Sequence, residues 1–144
     1  MIDEIEKNGA VITIDVGRNI KFPDNSGGVV IGNYQLQCID VSDVEKYPED
    51  GGGSTQFGLT VHEIVEQYYK QINGLDYRRA HERGLFAEQC ATGNAMQSSE
   101  GKKDANGNTT RIEVFMSKGG KTVTETVIFG KNGNIISVSQ ETED

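Results

Sequence analysis

Phe57-Gly58-Leu59-Thr60-Val61-His62-Glu63-Ile64-Val65-Glu66-Gln67-Tyr68 is the stretch around which the rest of the chain is read. Phe57, Val61, Ile64, Val65, Tyr68 and then Ile72 recur at helical spacing, the pattern of an amphipathic helix with one apolar stripe. Gly51-Gly52-Gly53 breaks the chain before it, Ser54 is a good N-cap and Gly74 supplies a C′ stop, so the helix is expected from Thr55 to Asn73. Within it His62-Glu63-Ile64-Val65-Glu66 reads HExxE. Residues four apart share a helix face, so His62 and Glu66 can aim ligand atoms at one ion while Glu63 points beside it. That is the layout of a zinc hydrolase, two ligands plus a carboxylate that takes a proton from water on the ion. With about 100° per residue, His62 borders the apolar stripe and Glu66 lies almost opposite its centre, so both are expected to face a cleft or solvent. Two rival readings stand beside this one. HExxE is also what an ordinary solvated helix can carry. Thr60-Val61-His62-Glu63 also fits a capping box, in which Glu63 reaches back to the Thr60 amide, although a start at Thr60 would waste Phe57.

The only other histidine lies in a second helical run. Asp76 can cap a helix from Tyr77 to about Ala91, ended by Gly93, in which Ala80, Gly84, Ala87 and Ala91 form a small-residue face that lets a neighbour approach. Gly74-Leu75 is a short connection, so the two helices are expected to fold back as an antiparallel pair. Glu66 stands eight residues before Gly74 and His81 seven after it. At about 1.5 Å of rise per residue, both lie roughly 10 to 12 Å from the turn and level with each other. His62, Glu66 and His81 then offer two imidazoles and one carboxylate, a common catalytic zinc set with a fourth position open. The bland reading of His81 is an exposed residue in the charged run Arg78-Arg79-Ala80-His81-Glu82-Arg83, since such runs are usually solvated faces.

With Tyr77-Arg78-Arg79-Ala80-His81-Glu82 downstream of the motif helix, the chain resembles, over roughly residues 10 to 92, the zincin-like metallopeptidase domains of bacterial polymorphic-toxin and secreted-effector proteins. The resemblance implies a Zn2+-dependent hydrolase acting on a peptide or protein substrate, with His62, Glu66 and His81 as metal ligands and Glu63 as general base. The departure from the commoner pattern is Glu66, where a second histidine usually stands. A carboxylate ligand lowers the charge of the metal centre and makes it a weaker Lewis acid. Tyr69 and Tyr77 are candidate oxyanion or substrate contacts, while Tyr68 belongs to the apolar stripe and is assigned to the core. The expected fold is α+β and zincin-like: a small twisted sheet packed on the motif helix and a second antiparallel helix, with a C-terminal β-meander. The alternative is a non-catalytic zincin-like module that binds a protein through its C-terminal strands or an edge strand. A metal-free α+β adaptor, with His62 and His81 far apart, is the third reading.

The flanks read as sheet. Ala10 to Val16, Gly28 to Ile31 and Gln35 to Val41 are expected strands before the motif helix. From Gly93 to Thr110 the chain is polar and rich in Gly, Asn, Ser and Lys, the composition of a mobile loop. Asp104, Asn106 and Asn108 alternate as in a calcium loop, but Gly107 is misplaced and no bidentate Glu follows, so they are assigned to turn chemistry. Arg111 to Met116, Thr122 to Phe129 and Asn134 to Ser139 read as the meander, joined by turns at Lys118-Gly119-Gly120 and Lys131-Asn132-Gly133, with Gln140 to Asp144 a frayed acidic tail.

The 144 residues suit one domain, divided into a metal-site core (10 to 92), a polar loop (93 to 110) and the meander (111 to 139). Eighteen glycines and an apolar fraction of 35% point to many turns and a modest core. A net charge of −8 argues against nucleic acid and anionic membranes as partners and favours basic ones. Cys38 and Cys90 are too few for a disulfide framework and lack zinc-knuckle spacing. Both are expected as buried thiols, with a single bridge open if the protein is exported. No apolar run is long enough for a membrane helix and no basic-then-apolar leader opens the chain, so export would need a larger carrier.

Overall fold

Ten short elements carry the chain in the computed structural model, which describes residue 9 and residues 11–143. Their order is β1 (Asp15–Gly17), β2 (Gly32–Asn33), β3 (Cys38–Asp40), α1 (Val41–Val44), α2 (Gln56–Gln71), α3 (Tyr77–Thr92), β4 (Ala95–Lys103), β5 (Thr109–Met116), β6 (Thr122–Phe129) and β7 (Ile135–Thr142). The architecture is α+β: a helical hairpin, a three-stranded sheet of order β1-β3-β2 and a four-stranded antiparallel sheet of order β4-β5-β6-β7. No helix among the described residues is long and apolar enough to cross a membrane.

The hairpin forms for local reasons. Thr55 caps α2, its hydroxyl accepting from the Gly58 amide, so the cap lies one residue beyond the expected Ser54. Ser54 has another use, donating through its amide and hydroxyl to the Glu125 carboxylate. Gly74, at φ +64°, takes the left-handed turn that an L side chain resists. Asp76 then caps α3 by accepting from Arg79 N, and Gly93 ends it at φ +78°. Thr60 lies inside α2 and bonds back to the Gln56 carbonyl, which removes the capping-box reading of Glu63.

The small-residue face is narrower than the sequence suggests. Ala80 and Gly84 are buried, Ala87 is half-buried and Ala91 is exposed. The helices approach along the i+4 line Ala80, Gly84, Glu88 and Thr92: a Cβ on Gly84 would stand 2.8 Å from the His62 carbonyl, and one on Gly58 2.7 Å from Thr92 Cγ2. The apolar stripe of α2 is also redistributed. Val65 and Tyr68 are buried, but Phe57 and Ile72 at its two ends are exposed. Leu59, outside the stripe, packs instead with Tyr47, Val127 and Ile135 to join α2 to the four-stranded sheet.

The N-terminal strands are shorter than expected and displaced. Ala10 lies outside the described residues, and of the stretch to Val16 only Asp15 onward joins the ladder. Thr13 gives its amide and carbonyl to the Gln71 side chain rather than to a neighbouring strand. Gly28 and Val29 bond to Asn132 O and Ile20 O, so the second strand begins only at Gly32. Val41 turns out of β3 into α1 because the Asp40 carboxylate caps Ser42 N.

The largest correction is the polar loop. Residues Ala95–Lys103 are strand β4, antiparallel to β5 with one register shift between Met96 and Ser98. As an edge strand with most side chains in solvent, β4 needs no apolar alternation, so its composition resembles a loop. The meander thus has four strands, and Gln140 to Thr142, expected as frayed tail, belong to β7; Asp144 lies outside the described residues. Its turns follow the sequence closely: Asp104 Oδ1 accepts from Asn106 N and Asn108 N, while Gly107, Gly120 and Gly133 take the positive-φ positions. Both cysteines are free, Cys38 buried as expected and Cys90 exposed on α3.

Candidate metal centre

The hairpin brings three ligand atoms to one point. His62 Nε2 stands 3.1 Å from Glu66 Oε2 and 3.2 Å from His81 Nδ1, and His81 Nδ1 stands 3.3 Å from Glu66 Oε2. His62 and Glu66 are one turn apart on α2, and His81 comes across the seam from α3, directly after the fully buried Ala80. In a tetrahedral zinc site with ligand distances of about 2.0 to 2.1 Å, ligand atoms lie roughly 3.3 to 3.4 Å apart. The observed triangle is within a few tenths of an ångström of that, so His62, Glu66 and His81 could hold a metal ion.

The hydrogen-bond chemistry supports the same fit. His62 Nδ1 lies 3.0 Å from Glu88 Oε1, so this nitrogen carries the proton and donates it to the carboxylate. In the neutral ring Nε2 is then a lone pair aimed at a carboxylate oxygen and at a second imidazole nitrogen. His62 Nε2 and the Glu66 oxygen then face one point as electron-pair donors, and a cation or a shared proton there satisfies both. In the metal-free site burial opposes a charge on the His62 ring, but the hydrogen bonds to Glu66 and Glu88 overcome it and raise its pKa to about 10. Burial would also raise Glu66, yet its bonds to His62 and His81 hold it down at about 2.

Glu88 is the site residue that the sequence reading missed. It lies on the seam line of α3, and its carboxylate fixes the tautomer and orientation of His62, the usual arrangement behind a metal-bound histidine. An i+4 count from Ala80 through Gly84 reaches Glu88, which was the available signal.

Glu63 is buried on the face of α2 next to the triad and lines the same cleft of about 770 Å³. Burial raises its pKa to about 7, with His62 pulling it down and the Glu66 and Glu88 charges pushing it up. β2 crosses directly over this carboxylate. A Cβ at Gly32 would overlap Glu63 Oε2, so glycine is what lets the strand pass there. His62 and Glu66 face a cleft, as expected, but they are almost fully buried within its wall rather than open to solvent.

The two tyrosine candidates separate. Tyr77 lines the cleft and stacks on His81, ring centroids 5.2 Å apart at 26°, with its outer edge against Tyr34. Tyr69 does not line the cleft: it packs edge-on against Tyr68 with Arg83 over its ring at 5.2 Å. By helical spacing Tyr69 shares the face of Glu66 and His62, so it is the packing of its ring on Tyr68 and under Arg83 that keeps it out of the cleft. The floor of the cleft comes from the four-stranded sheet through Met96, Ser99, Arg111, Glu113 and Phe129. The triad and Glu63 thus open on a space of about 770 Å³, large enough for a small molecule or a few residues of a chain. Comparison with family models, with curated proteins and with solved structures finds no match.

Proposed function

We propose that this chain is a zinc-dependent hydrolase of peptide bonds, with His62, Glu66 and His81 as ligands and Glu63 as general base. The observation that carries the reading is the triangle of ligand atoms, 3.1 to 3.3 Å on a side, beside a buried carboxylate in an open cleft. Two imidazoles and a carboxylate suit zinc, which favours nitrogen and oxygen donors in a tetrahedral set with one position open. A zinc ion so held lowers the pKa of water and polarises a carbonyl oxygen.

The chain's own groups supply the rest. Glu63 accepts the proton of the attacking water and returns it to the leaving amine, a role suited to a carboxylate that burial keeps from ionising too readily. Glu88 holds His62 in the tautomer that leaves Nε2 free. Tyr77, fixed by its stack on His81, is the candidate hydroxyl donor to the developing oxyanion. The resemblance to zincin-like domains of bacterial toxins and effectors agrees with this chemistry and suggests a protein substrate.

The test begins with metal content. The purified protein is expected to contain about one equivalent of zinc, and His62→Ala and His81→Ala are each expected to lose it. Glu63→Gln should retain the metal and lower peptide turnover by at least 10²-fold, the lower end for a general base. Protein purified without chelator that contains no metal removes the proposal. Full turnover in Glu63→Gln removes Glu63 as the base, whereas a zinc-loaded parent that cleaves no peptide moves the chain to the alternative, a protein-binding module on the same scaffold.

A further inference from the structure

On the sheet side of the cleft stands a carboxylate with nothing to pair with it. Glu113 on β5 is only 9% exposed and lines the cleft. Among the described residues its side chain accepts no hydrogen bond and joins no ion pair. No fully enclosed polar side-chain atom is left without a partner in the described chain, so the Glu113 oxygens reach the open space of the cleft.

Its neighbours do not neutralise it. Glu125 lies directly opposite on β6 and is fully buried, its carboxylate occupied by the Ser54 amide and hydroxyl and by Gln140 Nε2. Like charges directly opposite in a ladder are destabilising, and a buried unpaired charge more so. Burial first and Glu125 second raise the Glu113 pKa to about 7, while Arg111 pulls it down. Arg111 is two residues along the same strand, but its guanidinium lies over the Phe129 ring at 5.3 Å and forms no ion pair with Glu113. Tyr47, Leu59, Met96 and Phe129 line the same cleft. Apolar walls with a carboxylate fit a side chain that has an alkyl stem and a cationic head.

We propose that Glu113 is the anchor for a basic side chain, lysine or arginine, of the peptide held in this cleft, an assignment that rests on the peptide-hydrolase reading of the same site. A cationic head completes the charge that the sheet leaves open, and it makes the cleft selective among peptides through a group on the wall opposite the hairpin. Glu113 as a ligand of a second metal ion is the weaker use, because the adjacent Glu125 oxygens are already taken.

The test uses the purified full chain and fluorescein-labelled decapeptide pools, random except for one central position fixed as Lys, Arg, norleucine or Glu. Binding is read by fluorescence anisotropy, and cleavage of the same pools is scored separately by mass spectrometry. The Lys and Arg pools are expected to bind about tenfold more tightly than the norleucine pool, with the Glu pool weakest. In Glu113→Gln the ratio of Lys to norleucine affinity should fall to within about twofold of unity. General attraction of cations by an acidic protein would survive that single substitution, so a preference that persists in Glu113→Gln overturns the assignment. Equal binding of all pools by the unmutated chain, or binding of none, overturns it too. Charge-dependent binding without cleavage removes the hydrolase reading and keeps the anchor; cleavage indifferent to charge does the reverse.

Discussion

At the scale of single residues, the centre depends on which atoms of His62 are free. Its Nδ1 is committed to Glu88 and its Nε2 to the triad, so the two carboxylates act on one ring from opposite sides. Glu88→Gln keeps the shape and a carbonyl acceptor but removes the negative charge that favours a cation beyond the ring. Zinc affinity is expected to fall on the order of tenfold, the lower end of what such supporting contacts are worth, with the circular dichroism spectrum unchanged. Competition against a chromophoric chelator measures it, and an unchanged dissociation constant would show that Glu88 does not orient the ligand. Four of the site residues, His62, Glu63, Glu66 and His81, were legible in the sequence because helical periodicity alone sets which residues share a face. Tyr69 shares that face by the same periodicity, but its ring packs on Tyr68 and under Arg83 instead of entering the cleft, a choice of side-chain packing that spacing does not set.

At the scale of elements, the seam between α2 and α3 decides whether the ligands meet. Gly84 lies against His62 so closely that a Cβ would stand 2.8 Å from both the His62 carbonyl oxygen and Cδ2, and 3.1 Å from Nε2. In an exposed helix, Gly→Ala stabilises by about 1 kcal/mol. Here overpacking against backbone, typically 1 to 3 kcal/mol, opposes that gain and should win. Gly84→Ala is therefore expected to lower stability by roughly 1 kcal/mol, and to weaken zinc binding by more than the stability change accounts for, because the displaced group carries a ligand. Chemical denaturation and the chelator competition together test this. A Gly84→Ala protein at least as stable as the parent and with unaltered zinc affinity would mean that the helices can separate without moving the site. The short turn Gly74-Leu75 made an antiparallel hairpin legible, but the line along which it closes is a product of packing.

At the scale of the whole molecule, the four-stranded sheet places a buried pair of carboxylates, Glu113 and Glu125, beneath the cleft. The raised pKa of Glu113 has a defined sign in stability. Below about pH 4.5 this group is neutral in both states and destabilises neither. Between about 4.5 and 7 the unfolded chain gains by ionising while the folded chain resists, so its contribution to stability falls as pH rises and levels off above the folded value. Glu113→Gln should remove that slope. The difference in unfolding free energy between variant and parent is expected to grow from near zero at pH 4 to on the order of 2 kcal/mol at pH 8 in favour of the variant. Denaturation curves at four or five pH values would show it, and a difference that does not change with pH would mean that Glu113 ionises freely in the folded protein. A group that costs stability yet faces an open cleft is the usual mark of a binding role rather than a structural one.

The sequence by itself determined the helical hairpin, its Asp76 and Gly93 boundaries, the His62, Glu66 and His81 set and most of the C-terminal meander, because caps, turn glycines and periodicity are local physics. Tertiary structure decided what local signals do not carry. The edge strand β4 exists because β5 offers it a partner, not because its residues prefer a strand. Ser54 gives up the cap because Glu125, 71 residues away in the chain, needs its donors. Glu88 and Glu113 gain their roles only from what lies opposite them, one across a helix seam and one across a ladder. Burial, not residue type, sets Glu63, Glu66 and Glu113 apart from the glutamates at the surface.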